Sequence, residues 1–591
     1  MMPHSQLHGR LSRARMLRLL GGGVLGAPSL LAACTSPAPS APTLVAPPAR
    51  TPPAPTSVAT PVAAQAASGT TIGGVRLPTY IPAKGPKPDL PSTGPGVDDA
   101  YLSFPKASLY KSVQQPPGKG GEVSVLTLSY YPPFTALEDN PALQQINREL
   151  NVTLKLNMVA PTDYLTRFNT TIAGGSGNLP DLMMLPVIPN AAEFLQSQCA
   201  DLTQYLSGDA VKDYPNLANL PTLSWKSTVY NGAIMGVPPP RSAPSSVLYV
   251  NKTRYDQEIG SSLPKNSDDW KRILVQLTNP QAGHWGIAAG GAGFGFGVGA
   301  AWYPGMFGAP NTWQLEAGGK LTHARETDQF KAAVGYVWDL FAAGVYHPNS
   351  GNYGALAIKD DHVAGKFAFA ESTWTATYPD FWHRGAALNP PVQMRIMQPF
   401  THDGAGKVAY YLSPAVQIGY PLLGITVMKK APPDRIKELL GVLDFLAAPF
   451  GSQEALLIDY GVEGPDYAFD QRGNPVPTQR GPADSTYIEW NLVMQHLPVL
   501  YDSAYPEFAS TAQSDEQMLL SNSIQNPTLG YYSATNIKQG ATLDQAFNDG
   551  VTDVVTGRRH LGDFDQIVKD WLANGGEQIR AEYQQSMAAT G

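Results

Sequence analysis

The chain has 591 residues, of which 43% are hydrophobic and 15% are charged, so it has enough apolar material for a globular body of two or more lobes. A formal net charge of −7 argues against the basic surface that holds a nucleic-acid backbone, and we expect no nucleic-acid partner. Two cysteines, Cys34 and Cys199, cannot build a disulfide framework or a multi-cysteine metal cluster, so folding depends on burial.

The N-terminus has the design of an export signal. Arginines between Arg10 and Arg18 precede an apolar stretch, Leu19 to Ala33, that is too short for a comfortable bilayer span. Small residues then lead into Cys34, a spacing that resembles a bacterial lipobox and implies a diacylglycerol on the Cys34 thiol. We predict a lipoprotein signal peptide over residues 1–33, with a short uncleaved anchor as the alternative. The arginine pattern leaves general and twin-arginine export both open.

Residues 34–117 are predicted to be a tether that is partly disordered. Pro, Ala, Ser, Thr and Gly dominate it, and it has too few large apolar residues to offset the entropy lost on ordering. Its part nearer the body, Val75 to Tyr110, carries four tyrosine or phenylalanine residues. This part could pack against a lobe surface, although the pattern assigns it no fold.

The regular body begins near Gly120 with alternating elements. The pattern predicts a buried strand over Glu122–Leu128, a helix over Pro141–Leu150, a half-covered strand over Val152–Met158, a helix after Thr162, and an apolar strand over Leu182–Leu185. This alternation is typical of a doubly wound α/β lobe. Such lobes bind ligands at the carboxyl ends of their strands, near the point where the strand order reverses.

Several landmarks in this body follow one another in a familiar order. They are Tyr164 to Asp181, Asp201-Leu202-Thr203, Gly236-Val237-Pro238, Leu248 to Lys252, Leu263 to Trp270, Ala364 to Phe369, Tyr460 to Tyr467, and Gly575 to Tyr583. No single landmark is specific, but their ordered succession resembles bacterial extracellular solute-binding proteins of the maltose-binding-like type. The last two landmarks are similar to the large lipoprotein subgroup of oligosaccharide binders.

The resemblance covers most of residues 118–591 and implies an α/β, two-lobed periplasmic-binding-protein-like fold. Each lobe would be a sheet flanked by helices, and crossover segments would form a hinge. It further implies a monomer, held at the outer face of the cytoplasmic membrane by its lipid anchor. Such a protein captures a small-molecule ligand, here an oligosaccharide, for the permease subunits of an ABC transporter.

A sugar-binding cleft needs flat aromatic surfaces for the C–H face of the ring, and donors and acceptors for its hydroxyl groups. Trp302 and Tyr303 follow a glycine-dense run, and Tyr131 follows the first strand. In the resembling family a strand end after Ala364–Phe369 delivers an aromatic residue to the cleft, which implies Trp374 here. The alternative for each aromatic residue is a place in the core.

Two polar residues complete the predicted site. Arg241 follows three prolines in a segment that enters the cleft in the resembling family, where its guanidinium could donate to the ligand. Glu463 lies with Asp466 in a loop bounded by Gly and Pro, and could accept from ligand hydroxyl groups. A surface ion pair is the alternative for Arg241, and a purely structural role in the loop is the alternative for Glu463.

Other functional classes have weaker support. The sequence lacks a Gly-x-Ser-x-Gly elbow, a His-Glu-x-x-His zinc pair and a Walker phosphate loop, and we expect no cofactor, metal or catalysis. A secreted glycoside hydrolase stays open because two carboxylates, such as Glu371 and Glu463, would suffice for its reaction. A surface adhesion lipoprotein would carry the same anchor and tether, and a sensor accessory would have the same sequence features.

Overall fold

The structure is a computed structural model that describes residues 70–590. Within that range it leaves out positions 95, 130–134, 187, 189–190, 245, 289–295, 297–301, 351–352, 375–376, 405–409, 412–424, 485–492, 522, 525, 529–530 and 532. None of the helices in these described ranges is both long and apolar enough to span a membrane.

The strands form two four-stranded sheets and several two-stranded ribbons. They are β1 (Thr71–Ile72), β2 (Val75–Arg76), β3 (Asp99–Ala100), β4 (Glu122–Leu128), β5 (Thr153–Val159), β6 (Leu182–Leu185), β7 (Val229–Tyr230), β8 (Ala233–Ile234), β9 (Ser246–Asn251), β10 (Trp285–Ile287), β11 (Trp313–Leu315), β12 (Leu321–His323), β13 (Phe367–Thr373), β14 (Met394–Ile396), β15 (Tyr410–Tyr411), β16 (Ile425–Met428), β17 (Tyr467–Phe469), β18 (Pro475–Pro477), β19 (Val499–Leu500) and β20 (Ser523–Ile524).

The α-helices cover the sheets and supply most of the buried side chains around them. They are α1 (Pro141–Leu150), α2 (Pro161–Ala173), α3 (Ala191–Gln198), α4 (Thr203–Leu206), α5 (Lys252–Glu258), α6 (Ser267–Gln276), α7 (Trp302–Met306), α8 (Asp328–Ala342), α9 (Ala355–Val363), α10 (Thr377–Ala386), α11 (Pro433–Leu446), α12 (Gln453–Tyr460), α13 (Gly481–Asp484), α14 (Pro506–Leu520), α15 (Ala534–Val555), α16 (Phe564–Trp571) and α17 (Glu577–Thr590).

The first lobe is built on a sheet with the strand order β16-β6-β4-β5. β4 pairs in parallel with β5 and β6, and β16 pairs antiparallel with β6. Val123 and Val125 of β4 enter one apolar cluster, while Leu126 and Leu128 enter another, so both faces of the strand are covered. A strand covered on both faces reads as a nearly continuous apolar run, which is why the sequence predicts it well.

Helix α1 begins and ends where the sequence predicts, whereas α2 begins at Pro161, so Thr162 lies within its first turn rather than before it. Asn140 caps α1 by accepting a hydrogen bond from the Leu143 N–H, and a proline occupies the first turn. Asn151 ends α1 in the left-handed conformation at a φ of 52°, which asparagine tolerates better than most residues. These local signals confirm the predicted succession of strand, helix, strand, helix and strand.

The second lobe contains a mixed sheet with the order β10-β13-β9-β14. β10 and β13 are parallel, and β9 runs antiparallel to both β13 and β14. A large apolar cluster covers this sheet with residues of α6 and α8, and Phe330 of α8 stacks near Phe547 and Phe564 of the C-terminal helices α15 and α16. The C-terminal helices therefore belong to the second lobe.

Three segments carry the chain between the lobes. The first leaves after Val237, whose N–H and C=O exchange hydrogen bonds with Thr426 of β16 at 2.8 and 2.9 Å, and enters β9. The second returns from β14 to β16. The third runs from Met494 in a first-lobe cluster to Leu500 in a second-lobe cluster. Three crossovers between two sheets are consistent with the predicted hinge.

Residues 70–117 also contact both lobes, and we call this segment the N-terminal strap. Leu77 is buried in a first-lobe cluster, and the Ile81 N–H donates to the Ala218 carbonyl at 2.7 Å. The strap then reaches the second lobe, where β3 pairs in parallel with β19. It returns through Phe104, which packs against Phe450 before β4 begins.

The strap lies within residues 34–117, for which the sequence predicts a partly disordered tether whose part nearer the body could pack against a lobe. Composition measures how much apolar surface a segment can bury, but the strap is held largely by backbone pairing and a few aromatic residues. Its predicted packing over Val75–Tyr110 is observed, and it involves both lobes rather than one surface.

Candidate functional site

The two sheets present the carboxyl ends of parallel strands on either side of the first crossover. In the first lobe the strand order reverses between β4 and β6, which makes their carboxyl ends the topological switch point. The crossover starts at Val237, which pairs with Thr426 of β16, and Thr426 lies beside Met184 near the end of β6. The crossover ends at Ser246, which pairs with Thr373 at the end of β13. The intervening residues 238–245 span at most about 28 Å.

The first-lobe side of this site is fixed by Tyr164 of α2. Its hydroxyl donates to the Met184 carbonyl at 2.5 Å and lies 3.3 Å from the Leu126 carbonyl, so one side chain ties the helix to both switch-point strands. Burial raises the pKa of Tyr164 far above the usual range, which keeps the hydroxyl a donor. Tyr164 therefore positions the strand ends from behind.

Asp181 has a structural role at the opposite end of β6. One carboxylate oxygen accepts from the Ser124 N–H and hydroxyl at 2.9 Å, and Lys429 and Arg435 pair with the carboxylate. Burial raises the pKa of Asp181, but the hydrogen bonds from Ser124 and the two cations lower it on balance. This placement agrees with its interpretation as a backbone cap at the strand entrance.

Trp374 follows the end of β13, as the resemblance implies, but its ring is covered. It is 2% exposed and packs against Tyr378 of α10 with ring centroids 4.9 Å apart. The indole also lies near the carboxyl group of Glu516 in α14 and lowers its pKa, although burial of Glu516 has the larger, opposite effect. In this structure Trp374 supports the end of β13 from within the second lobe, and its predicted contact with ligand stays a prediction.

Trp302 and Tyr303 are adjacent in sequence but have different environments. Trp302 opens α7, is half-buried and lies edge-on to Phe400 at 6.2 Å, and its indole nitrogen is buried with no hydrogen-bond partner among the described residues. Tyr303 is fully buried, and its hydroxyl bonds Tyr346 at 3.2 Å and Trp270 at 3.5 Å. Burial raises the pKa of Tyr303 to about 12. Tyr303 is thus a core residue beneath Trp302.

Arg241 lies in the first crossover, as predicted from its position after Pro238–Pro240. It is half-buried, and the preceding prolines are buried. The Gln495 side chain of the third crossover donates to the Pro240 carbonyl, so two of the crossovers are hydrogen-bonded to each other beside Arg241. This places Arg241 at the junction between the lobes.

Glu463 lies on an exposed loop between α12 and β17. The neighbouring Asp466 is fully buried and accepts from the Val462 N–H at 2.8 Å, which fixes the loop. Glu463 itself raises the pKa of Tyr467, although burial is the larger cause of that shift. The loop geometry favours the structural interpretation for Asp466 and leaves the ligand contact of Glu463 a prediction.

Two predicted residues, Tyr131 and Cys34, lie outside the described residues. Within the described part of the chain, no group of three or more His, Cys, Asp or Glu side chains could hold a metal ion. The remaining free thiol, Cys199, is buried, and burial raises its pKa to about 12, so it remains protonated.

Sequence reasoning missed a cluster of polar side chains at the junction of the lobes, in which Asp98 is half-buried and Ser242 and Glu516 are buried. It joins Asp98 of the strap, Ser242 of the first crossover, Glu516 of α14 and Trp374. Asp98 and Glu516 are 418 positions apart, and neither lies in a recognisable motif, so no local pattern could have paired them. The cluster lies directly behind the end of β13.

Comparisons with known proteins identify the family. The model for bacterial extracellular solute-binding proteins matches residues 142–462, which is more than half of the chain. Lipoprotein LipO of Bacillus subtilis (strain 168) is 22% identical over 467 residues, covering 76% of this chain and 88% of LipO. The polygalacturonan/rhamnogalacturonan-binding protein YtcQ of the same strain is 22% identical over 464 residues, covering 75% and 87%.

A solved structure supports the same conclusion for the fold. Alginate-binding protein AlgQ2 has a TM-score of 0.57 and 15% identity, with 81% of this chain and 99% of AlgQ2 covered. At this identity the likeness concerns the fold, and it confirms the predicted two-lobed α/β architecture. Together with the extent of the family match, it establishes that the chain is a member of the bacterial extracellular solute-binding protein family.

Proposed function

We propose that this solute-binding protein captures an oligosaccharide and delivers it to the permease subunits of an ABC importer. The observation that carries the proposal is the pair of strand-end edges on either side of the first crossover, one at β4 and β6 and the other at β13. A ligand that contacts both edges would stabilise a closed arrangement of the lobes, because it interacts better with that arrangement than with an open one.

The carbohydrate class is supported by the relatives. YtcQ is a polygalacturonan/rhamnogalacturonan-binding protein, and AlgQ2 is an alginate-binding protein. Trp302 has a half-buried aromatic ring, and its indole N–H, buried without a hydrogen-bond partner among the described residues, is a donor that a sugar hydroxyl group could accept from. We propose that Trp302 and Arg241 contact the sugar, whereas Tyr303 holds Trp302 in place.

The location of the protein follows from the same proposal. A solute-binding protein outside the cytoplasm must stay close to its permease, and a lipid on Cys34 would keep it at the outer face of the membrane. We propose that the protein is a monomer there and releases its ligand chemically unchanged. Lipidation can be tested by mass spectrometry of the membrane fraction, since Cys34→Ser would abolish both the lipid mass and membrane retention.

The binding test uses the full chain with Cys34→Ser and follows thermal unfolding against neutral oligosaccharides, oligouronates, short peptides and polyamines. Selective binding to the native state stabilises it by about 2.7 kcal/mol at a ligand concentration of 100 times Kd. We expect a saturable rise in melting temperature with an oligosaccharide that is recovered intact. Release of shorter sugars would instead identify a hydrolase, and a rise only with peptides or polyamines would overturn the carbohydrate assignment.

Trp302→Ala tests the proposed contact. Loss of a well-packed aromatic contact should weaken binding of the identified oligosaccharide by about 1–3 kcal/mol in titration calorimetry. Trp338→Ala is the matched control, since Trp338 is 44% exposed on α8 and should leave the affinity unchanged. Equal affinities for wild type and Trp302→Ala would remove Trp302 from the site.

A further inference from the structure

The middle of the strap is held by one face of α14. Gln513 and Glu516 lie one turn apart on that helix. The Gln513 amide donates to the carbonyls of Leu90 at 2.8 Å, Pro91 at 3.3 Å and Asp98 at 3.0 Å, while the Glu516 carboxylate accepts from the Asp98 N–H at 2.8 Å. Two side chains of the second lobe thus bind the backbone of the strap.

The same contact contains a pair of carboxyl groups. The side-chain carboxyl groups of Asp98 and Glu516 lie close enough to interact, and Glu516 is fully buried. Asp98 Oδ2 and Glu516 Oε1 are both buried without a hydrogen-bond donor among the described residues. Two ionised carboxylates only accept hydrogen bonds, so the pair holds together when one of them carries a proton.

The surroundings of the pair favour that proton. Burial raises the pKa of Asp98 to about 7, against the lowering effect of hydrogen bonds from Ser242 and Glu516, and Asp99 raises it further. Burial also raises the pKa of Glu516 well above its usual range, and Asp98 adds to that effect.

Other polar and charged groups surround the pair on each element. Trp374 approaches Glu516 from the end of β13, and Arg241 precedes Ser242 in the crossover. Next to Glu516 on α14, Asp515 accepts from the Tyr378 hydroxyl at 2.6 Å and lies near Arg395, and burial raises the pKa of Asp515 to about 6.

The strap is attached to the first lobe on both sides of this contact. Before it, the Ala83 N–H donates to the Asn219 side chain at 2.9 Å, and after it, the Phe104 N–H donates to the Asn474 side chain at 2.8 Å. The Tyr101 N–H donates to the Leu500 carbonyl, and only two residues separate Tyr101 from Phe104, so the chain between these two attachments is short. An opening motion of the lobes must therefore pivot close to this point or pull the strap from α14.

We propose that Asp98 and Glu516 form a proton-dependent latch, which docks the strap on the second lobe and restrains opening of the solute-binding cleft until the shared proton is lost. The inference rests on the proposed function in one respect, namely that lobe opening accompanies solute exchange. An extracellular protein experiences the pH of the medium, so the latch would favour the closed arrangement in mildly acidic surroundings and a more open one in alkaline surroundings.

The sign of the pH dependence follows from the raised pKa values. A carboxyl group that binds its proton more tightly in the docked state stabilises that state. Its contribution to the free energy of docking is complete at pH values below about 4, the ordinary pKa of an aspartate. That contribution is lost as the pH rises through the raised pKa values of the pair, to about 7 for Asp98 and well above the usual range for Glu516.

The test measures hydrogen exchange in the ligand-free full chain with Cys34→Ser between pH 5.5 and 8.5, corrected for the intrinsic rate. Protection of peptides covering residues 96–104 should fall about tenfold across this range in the wild type. Glu516→Gln should hold it constant, because an amide donates to Asp98 without titrating. Asp98→Asn should do the same and serves if Glu516→Gln does not fold.

Asp515→Asn is the matched control, because its carboxyl group lies on the same helix but bonds Tyr378 rather than the strap, and it should keep the wild-type pH profile. Equal, pH-independent protection in the wild type and in the two latch variants would overturn the proposal. Because no ligand is present, this result is separate from the proposed function. A protein that binds sugar but has a pH-independent strap would refute the latch alone.

Discussion

Trp374 illustrates how a residue predicted to contact ligand can be covered by the core in this structure. It follows the end of β13, where the family pattern suggests a cleft aromatic residue, yet its ring is buried against Tyr378, near the carboxyl group of Glu516. Its indole connects the strand end to the helix that holds the strap. The side chain is therefore expected to stabilise the site from behind.

Trp374→Ala should lower the free energy of unfolding by about 3–5 kcal/mol, as expected when a large aromatic side chain is removed from a packed core. Denaturant unfolding of the ligand-free protein measures this effect. If the variant instead kept the wild-type stability and lost only affinity for the sugar, Trp374 would be a direct ligand contact.

Asp444 of α11 is a second residue whose burial has a measurable consequence. Its carboxylate accepts from the N–H groups of Asn216 and Leu217 at 2.8 and 3.0 Å. Burial raises the pKa of Asp444 to about 7, although those two hydrogen bonds lower it, and Glu454 adds to the increase. The folded state therefore holds a proton that the unfolded state loses near pH 4.

Asp444→Asn should remove part of the pH dependence of stability. In the wild type the protonated Asp444 carboxyl group makes its full contribution to the free energy of unfolding below pH 4. This contribution, up to about 4 kcal/mol, is lost as the pH rises through 7. Denaturant midpoints at pH 5 and 8 should therefore differ less in Asp444→Asn than in the wild type. Asp434→Asn on the same helix is the control, because the Asp434 side chain is 84% exposed and should leave the difference unchanged.

At the scale of elements, the strap is held by contacts that join distant parts of the chain. β3 pairs with β19, and Phe104 packs against Phe450 and Tyr501 in a cluster between the strap, α12 and the third crossover. Composition alone describes this segment as a tether, because most of its residues are small or proline. Its order depends on partners that lie hundreds of residues later.

Phe104→Ala should destabilise the protein by about 3–5 kcal/mol, because it leaves a cavity among aromatic side chains. Leu102→Ala is the matched control two residues earlier, since Leu102 is 39% exposed and its truncation should change stability by less than about 0.5 kcal/mol. Thermal or denaturant unfolding of both variants, compared with the wild type, measures these changes in stability. Equal stabilities would mean that the strap does not contribute to the folded body.

The first-lobe elements were predictable because each carries its own local signal. β4 reads as an apolar run, Asn140 caps α1, and Asn151 ends it. The second-lobe sheet is less visible in sequence, because β9, β10, β13 and β14 are separated by long insertions and β10 and β14 have three residues each.

The candidate site was only partly predictable from sequence. The position of Arg241 in a crossover follows from the family pattern, but burial of Tyr303 and Trp374 depends on tertiary packing. The partners of Trp374, such as Tyr378 and Glu516, come from other elements. A sequence pattern can therefore place an aromatic residue at a strand end without showing which way its ring is covered.

For the whole molecule, two lobes joined by three crossovers and the strap predict a change of shape on binding. A saturating oligosaccharide should reduce the radius of gyration in small-angle X-ray scattering, since the closed arrangement is the one that contacts ligand on both edges. A ligand that raises the melting temperature without changing the scattering would contact one lobe only, which would contradict closure as the mechanism.

The route of the strap also has a consequence for how the protein is made. The strap precedes both lobes in the chain, yet β3 finds its partner only when β19, about 400 residues later, has emerged. Pairing across such a separation is slow, and apolar groups that await their partners are prone to aggregate. The segment that is synthesised before either lobe is therefore among the last to reach its final place. In a chain truncated before β19, Leu77 could still pack on the first lobe, whereas Phe104 would lack its contact with Tyr501.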